Sequence, residues 1–164
     1  MDEFINRCAE PNAQSQHKEQ EDQIIEQAIR IIEARMQGPE FNVTKPEDAK
    51  NYFRLHLRER KAESFMVMYL DNQHGFMGVK EMFRGTIDGA SVHPREVVRA
   101  TLAFNAAALI LAHNHPSGIA LPSKADERIT QRLKSALELI DVRILDHFIV
   151  GRDEVYSFAE HGLI

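Results

Sequence analysis

A chain of 164 residues with 43% hydrophobic and 27% charged residues has the size and composition of one globular domain with its own core. It has one cysteine, Cys8, a net charge of −5, and a longest apolar run of only seven residues, Ala106 to Ala112. These exclude an internal disulfide framework, a cysteine-held zinc cluster and a membrane-spanning helix, so any metal must be held by histidine and carboxylate.

The charge is uneven. Residues 1–40 hold nine acids and four bases, whereas residues 41–164 hold sixteen of each. A body without net positive charge argues against a strong phosphate-binding face, although Arg84, Arg95 and Arg99 lie close in sequence. The start, "MDEFINRCAE", has neither the basic nor the apolar region of a secretory signal, and the expected location is cytoplasmic.

Met1 to His17 is polar and reads as loose. From Lys18 to Gln37, Ile24, Ile25, Ala28, Ile31, Ile32 and Met36 recur at helical spacing, and Gly38-Pro39 ends the helix. That helix either packs on the domain or offers its apolar side to a partner, including a second copy of the chain. The expected organisation is an acidic extension over 1–40 with this amphipathic helix, then one domain over 41–164. Thr44 and Glu47 read as cap and third residue of the next helix, with Pro46 in its first turn and Tyr52, Phe53 and Leu57 facing inward. Ser64–Asp71 reads as a buried strand, "NQHG" as a turn, and "FMGVKEMFRGT" as one or two further strands. "HPREVVRATLAF" is a helix with Pro94 near its first position, and "AALILA" is a strand. "SKADERITQRLKSALELI" is a long helix with Ile129, Leu133, Leu137 and Ile140 on one stripe. "VRILDHFIVG" is a strand with a polar pair, Asp146 and His147, in its middle, and "VYSF" is a short last strand. Helices and strands are interspersed, so the class is α+β or α/β.

The chemistry concentrates in "AHNHPSGIALPSKAD". His113 and His115 stand two apart at a strand exit, where both side chains point to one side. Pro116 turns the chain away. Ser123 and Asp126 fall within the first turn of the long helix, which brings Asp126 to the histidines if the helix packs back beside the strand. Two nitrogens and one oxygen suit zinc and leave a fourth position for water, whose pKa bound zinc lowers to about 7. Hydrolysis then also needs a general base and a group to stabilise the oxyanion. Ser123 and Asp126 alone could be only a helix-capping pair; chance assembles the four positions together in about one random chain in a thousand.

His113-Asn114-His115-Pro116, then Ser123 and Asp126 at this spacing, resemble the JAMM motif of the JAB/MPN metalloprotease-like fold. More narrowly, "FRGTIDGASVHPREVVRATLAFNAAALILAHNHPSG" and "LDHFIVG" are similar to the RadC family of bacterial proteins, over about Phe41 to Ile164. The resemblance implies an α+β, cytidine-deaminase-like MPN fold, a curved sheet flanked by helices with the metal at its edge, here with an extra N-terminal helix. It implies that His113, His115 and Asp126 bind zinc and that Ser123 helps polarise a substrate carbonyl. It also implies an upstream glutamate as general base. Glu63, just before the first core strand, is the first candidate and Glu81 the second. Asp146 and His147 are either a buried structural pair or support for the site. The implied activity is hydrolysis of peptide or isopeptide bonds in a protein or peptide substrate by a metal-activated water. A DNA-repair-associated factor and a non-enzymatic interaction scaffold are the alternatives. The chain resembles a short form without the helix-hairpin-helix segment of longer RadC proteins, which puts direct nucleic-acid binding in doubt. Ile119 and Ala120 also stand where family members often carry an Asp.

Overall fold

The computed structural model describes residues 13–36, 46–85 and 92–164. The Gly38-Pro39 helix stop and the Thr44 cap lie outside the described residues. In chain order the elements are α1 (Ala13–Met36), α2 (Pro46–Leu57), β1 (Glu63–Leu70), β2 (Phe76–Gly85), α3 (Pro94–Phe104), β3 (Ala108–Asn114), α4 (Lys124–Glu138), β4 (Arg143–Val150) and β5 (Val155–Ser157). No helix among the described residues is long and apolar enough to cross a membrane.

Five strands form one sheet in the order β2-β1-β3-β4-β5. β1 runs antiparallel to β2 and β3, β3 and β4 are parallel, and β5 returns antiparallel to β4. This is an α+β architecture, as expected for a JAB/MPN domain. The unbroken apolar runs of β1 and β3 have a direct cause: both faces of the sheet are covered. On one face Met66, Met68, Ile110, Ala112 and Phe148 pack against Tyr52, Phe53 and Leu57 of α2. On the other, Phe65, Val67, Leu109 and Leu111 meet Val97 and Ala100 of α3 and Ile129, Leu133 and Leu137 of α4. "FMGVKEMFRG" is a single strand, its register against β1 shifting between Phe65 and Met66 and between Tyr69 and Leu70.

One expectation at the N-terminus needs correction. Residues 13–17, read as loose, are already helical. No breaker stands between Pro11 and Gly38, and the Ala, Gln and Ser residues there cost a helix little. The side of α1 turned to the domain carries Ile25, Ala28, Ile29 and Ile32, whereas Ile24 and Ile31 are 66% and 45% exposed. Ile32 packs against the core on the α2 side, and Glu33 accepts a hydrogen bond of 3.1 Å from the Tyr52 hydroxyl.

The topology gathers three chain ends at one rim of the sheet. β3, the central strand, runs out at Asn114. Antiparallel β1 begins beside it at Glu63. A parallel β3–α4–β4 connection must carry the chain back across the sheet, and its helix starts near the exit of β3. The rim, not an outer strand, is therefore where the chemistry-bearing residues meet.

Candidate metal centre

Phe65 of β1 pairs with His113 of β3. Glu63 lies two residues before Phe65, so Glu63, Phe65 and His113 point to the same face, the one α4 covers. The first turn of α4 then supplies Asp126. One ligand atom from each of Glu63, His113, His115 and Asp126 lies within 4.8 Å of all the others. His113 Nε2 is 3.0 Å from His115 Nε2 and 3.2 Å from Asp126 Oδ1, and His115 Nε2 is 3.4 Å from Asp126 Oδ2. Ligands at about 2.0–2.1 Å from a tetrahedral ion stand about 3.3 Å apart. The His113–His115 separation and the approach of one Asp126 oxygen to each histidine are close to that edge, so these side chains could hold a metal. Glu63 Oε1 stands farther off, 3.9 Å from His113 Nε2, with its side chain 14% exposed.

The loop after β3 aims His115. Its Nδ1 lies 2.8 Å from the Ile119 carbonyl, which only accepts, so Nδ1 donates and Nε2 turns to the cluster. The loop is fastened by His115 N–H to the Val150 carbonyl at 3.0 Å and by Arg152 N–H to the Gly118 carbonyl at 2.9 Å. It passes so near the β4–β5 turn that a Cβ on Gly151 would fall 2.7 Å from the Gly118 carbonyl oxygen. Gly151→Ala should therefore push the loop outward. We expect a stability loss of about 1–3 kcal/mol in urea unfolding, and a shift of the Ile119 carbonyl that orients His115.

Asp126 and Ser123 form a capping box. Asp126 Oδ2 accepts from Ser123 N–H at 2.7 Å, and Ser123 Oγ accepts from Asp126 N–H at 3.2 Å. Capping and facing the histidines are thus not alternatives for Asp126: the same carboxylate does both. Burial alone would raise its pKa, but hydrogen bonds with His113 and His115 hold it well below the usual carboxylate range. The bond to Asp126 in turn raises His115 from its ordinary value, against burial. A pair that draws in a proton this way also draws in a cation, and the two compete for the same donors.

The two candidate glutamates are placed differently. Glu81 sits on β2 with its carboxylate bonded to Arg60 and, at 2.8 Å, to Arg84 Nε. Burial raises its pKa, but the bonds to Arg84 and Arg60 outweigh that and lower it. Among the four clustered residues only Glu63 is a glutamate.

A model of the RadC-like JAB domain matches residues 43–163 of the chain. The chain belongs to the RadC family. A UPF0758 protein of Methylibium petroleiphilum is 54% identical over 142 residues, covering 86% of this chain and 63% of the relative. UPF0758 proteins of Thioalkalivibrio sulfidiphilus and Nitrosococcus oceani are 58% and 59% identical over 122 residues, 74% of this chain and 54% of each relative. The chain thus spans between about half and two thirds of the relatives it matches. The matched RadC-like region contains the whole cluster.

Within this RadC-family domain, three further side chains hold the cluster in place: Asn114 and Thr130, not singled out in the sequence, and His147, read there as either structural or supporting. Asn114, the middle residue of His-Asn-His, faces away from the cluster. Its Oδ1 accepts from Ser64 N–H at 2.8 Å, and its Nδ2 donates to the carbonyls of Arg60 and Ala62 at 3.1 and 3.2 Å. Asn114 therefore fixes the backbone on both sides of Glu63. At 2% exposure it has little water to replace those bonds. Asn114→Ala should cost about 2–4 kcal/mol, at roughly 1 kcal/mol for each of three bonds plus the stranded partners, measured by urea unfolding.

The polar pair of β4 divides its work. The Asp146 carboxylate accepts from His147 N–H at 2.7 Å, Ser157 Oγ at 2.6 Å and Ala159 N–H at 3.0 Å, and so secures the C-terminal turn. His147 belongs to the cluster's support, with Nε2 2.9 Å from His113 Nδ1 and Nδ1 2.6 Å from Thr130 Oγ1. Burial pushes its imidazole well below the ordinary histidine value, so it is neutral. Thr130 had one sequence signal, its position four residues after Asp126 on the same side of α4.

Proposed function

We propose that this domain is a zinc-dependent hydrolase of peptide or isopeptide bonds. The supporting observation is the convergence of His113, His115 and Asp126 at tetrahedral spacing with a separate carboxylate, Glu63, just beyond that spacing. Two imidazole nitrogens and a carboxylate oxygen are a zinc-type donor set that keeps one position open. When bound there, the ion supplies Lewis acidity toward a carbonyl oxygen and lowers the pKa of a water it holds.

The protein's own groups do the rest. His113 and His115 through Nε2, and Asp126 through its carboxylate, hold the ion. Glu63 accepts the proton of the attacking water and returns it to the leaving amine nitrogen as the C–N bond breaks. A carboxylate at the wall of the site, neither fully exposed nor sealed, suits a group that takes and gives a proton in one cycle. Ser123 Oγ accepts from the Asp126 amide, and its own O–H can donate to the carbonyl oxygen as that oxygen gains charge. The exposed Ile119 and Leu121, 60% and 64% accessible, lie between His115 and Ser123 in the chain and offer apolar contact to a polypeptide beside the reacting bond. Purified protein should carry about one zinc per chain by mass spectrometry, and should cleave members of a peptide and isopeptide library in a chelator-sensitive way. Protein that takes up no zinc sinks the reading.

A further inference from the structure

His113 can serve as a ligand through Nε2 only if that atom carries a lone pair, so its other nitrogen must carry the proton. Within the cluster its Nε2 faces Asp126 Oδ1 at 3.2 Å and His115 Nε2 at 3.0 Å, where either a proton or a metal ion can lie. Its Nδ1 does not face a carbonyl, which would settle the matter as the Ile119 carbonyl does for His115. It faces His147 Nε2, and an imidazole nitrogen can donate or accept.

The ambiguity ends one step further on. Thr130 Oγ1 is 2.6 Å from the carbonyl oxygen of Asp126. A carbonyl has no proton to give, so the Thr130 hydroxyl proton must lie on that line. The hydroxyl has only one proton, so toward His147 Nδ1, also at 2.6 Å, Thr130 can only accept. His147 must then be protonated at Nδ1. His147 has no solvent contact, which disfavours a second proton and a full charge. Its Nε2 is therefore an acceptor, and His113 must donate from Nδ1. The His113 proton is accounted for, and Nε2 is left bare toward the cluster. The chain of hydrogen bonds begins on the backbone of one ligand residue, Asp126, and ends on the ring of another, His113.

Aromatic neighbours pack against both rings. Phe65 stacks on His113 at 6.0 Å and 13°, and His147 is held between Phe65 at 5.5 Å and Phe158 at 4.8 Å.

We propose that Thr130 and His147 are positioning residues that hold His113 in the Nδ1–H tautomer, and that the Thr130 hydroxyl sets the direction of the whole chain. Their value to metal binding rests on the reading of His113 as a ligand; the direction of the chain does not. Without the hydroxyl, His147 loses its Nδ1 acceptor. Its proton then moves to Nε2, where His113 Nδ1 can accept it. That transfer puts the His113 proton on Nε2, the atom an ion needs.

The experiment compares zinc affinity, by competition with a chromogenic chelator, for wild type, Thr130→Ser and Thr130→Val. The serine variant keeps the hydroxyl and should match wild type. The valine variant, of the same shape, should bind zinc about 10–100-fold more weakly. Equal affinity in the valine variant overturns the proposal. Long-range proton–nitrogen spectra of chelator-treated wild-type protein give a second reading, free of metal and activity and open even if a variant fails to fold. His147 protonated at Nδ1 and bare at Nε2 supports the chain; the opposite tautomer overturns it. A wild type that binds no zinc but shows this tautomer defeats the metal reading alone.

Discussion

Glu63→Gln should slow amide hydrolysis by about 10²–10⁴-fold, the usual contribution of a general base, while leaving zinc bound. Glutamine has the shape of glutamate but cannot take a proton from water. The carboxylate it replaces stands 3.9 Å from His113 Nε2, beyond the 3.0–3.4 Å separations among the other donors, so its charge is not needed to close the donor set. The two readouts separate the roles. A rate loss with full zinc content marks a base, and a rate loss with lost zinc marks a fourth ligand. Glu81→Gln is the companion measurement. Glu81 is held by Arg60 and Arg84, and its side chain is 27% exposed. Its loss should leave the rate unchanged and cost no more than about 1 kcal/mol of stability, as for ion pairs in contact with water. A rate collapse in Glu81→Gln with normal turnover in Glu63→Gln would reverse the assignment.

How far each residue was legible depended on what brings it to the rim. His113 and His115 are tied by two residues of extended backbone, and Ser123 and Asp126 by one helical turn. These are local geometries that a sequence carries in its spacing. The helix and strand sequence was legible for the same reason, since covered faces and amphipathic stripes leave periodic patterns. Glu63 is different. It reaches His113 through the pairing of Phe65 with His113, a register between strands about fifty residues apart. That register is settled by the packing of two whole faces, so sequence alone left Glu63 and Glu81 in competition. His147 needed the parallel register of β4 on β3, where it stands opposite Leu111 on the face that His113 shares. Thr130 needed that register together with the rotation of α4. On α1 the spacing of apolar residues identified a helix but not its buried side. Only a narrow strip meets α2, so Ile29 turns inward while Ile24 and Ile31 remain exposed.

The second large effect is on stability. Asp126 is 1% exposed and faces two imidazoles whose Nδ1 atoms are engaged elsewhere, by the Ile119 carbonyl and by His147. Two imidazole nitrogens and a carboxylate directed at one point attract a cation, so an ion that binds there favours the folded state. Zinc added to chelator-stripped protein at 100–1,000 times its dissociation constant should then contribute about 2.7–4.1 kcal/mol. For a chain of this size that is a rise of about 5–16 °C in the unfolding midpoint, at roughly 2–4 °C per kcal/mol. Asp126→Asn isolates the cause. The asparagine oxygen can still accept from Ser123 N–H, so the helix cap persists, but the anionic donor is gone. The variant should fold and show little or no zinc-dependent rise. Protons compete with the ion for the His115 nitrogen, which the bond to Asp126 holds above its ordinary pKa, so the wild-type rise should also shrink as pH falls, beginning above the ordinary histidine range. An equal rise in Asp126→Asn, or one that does not change with pH, would place the ion on other residues.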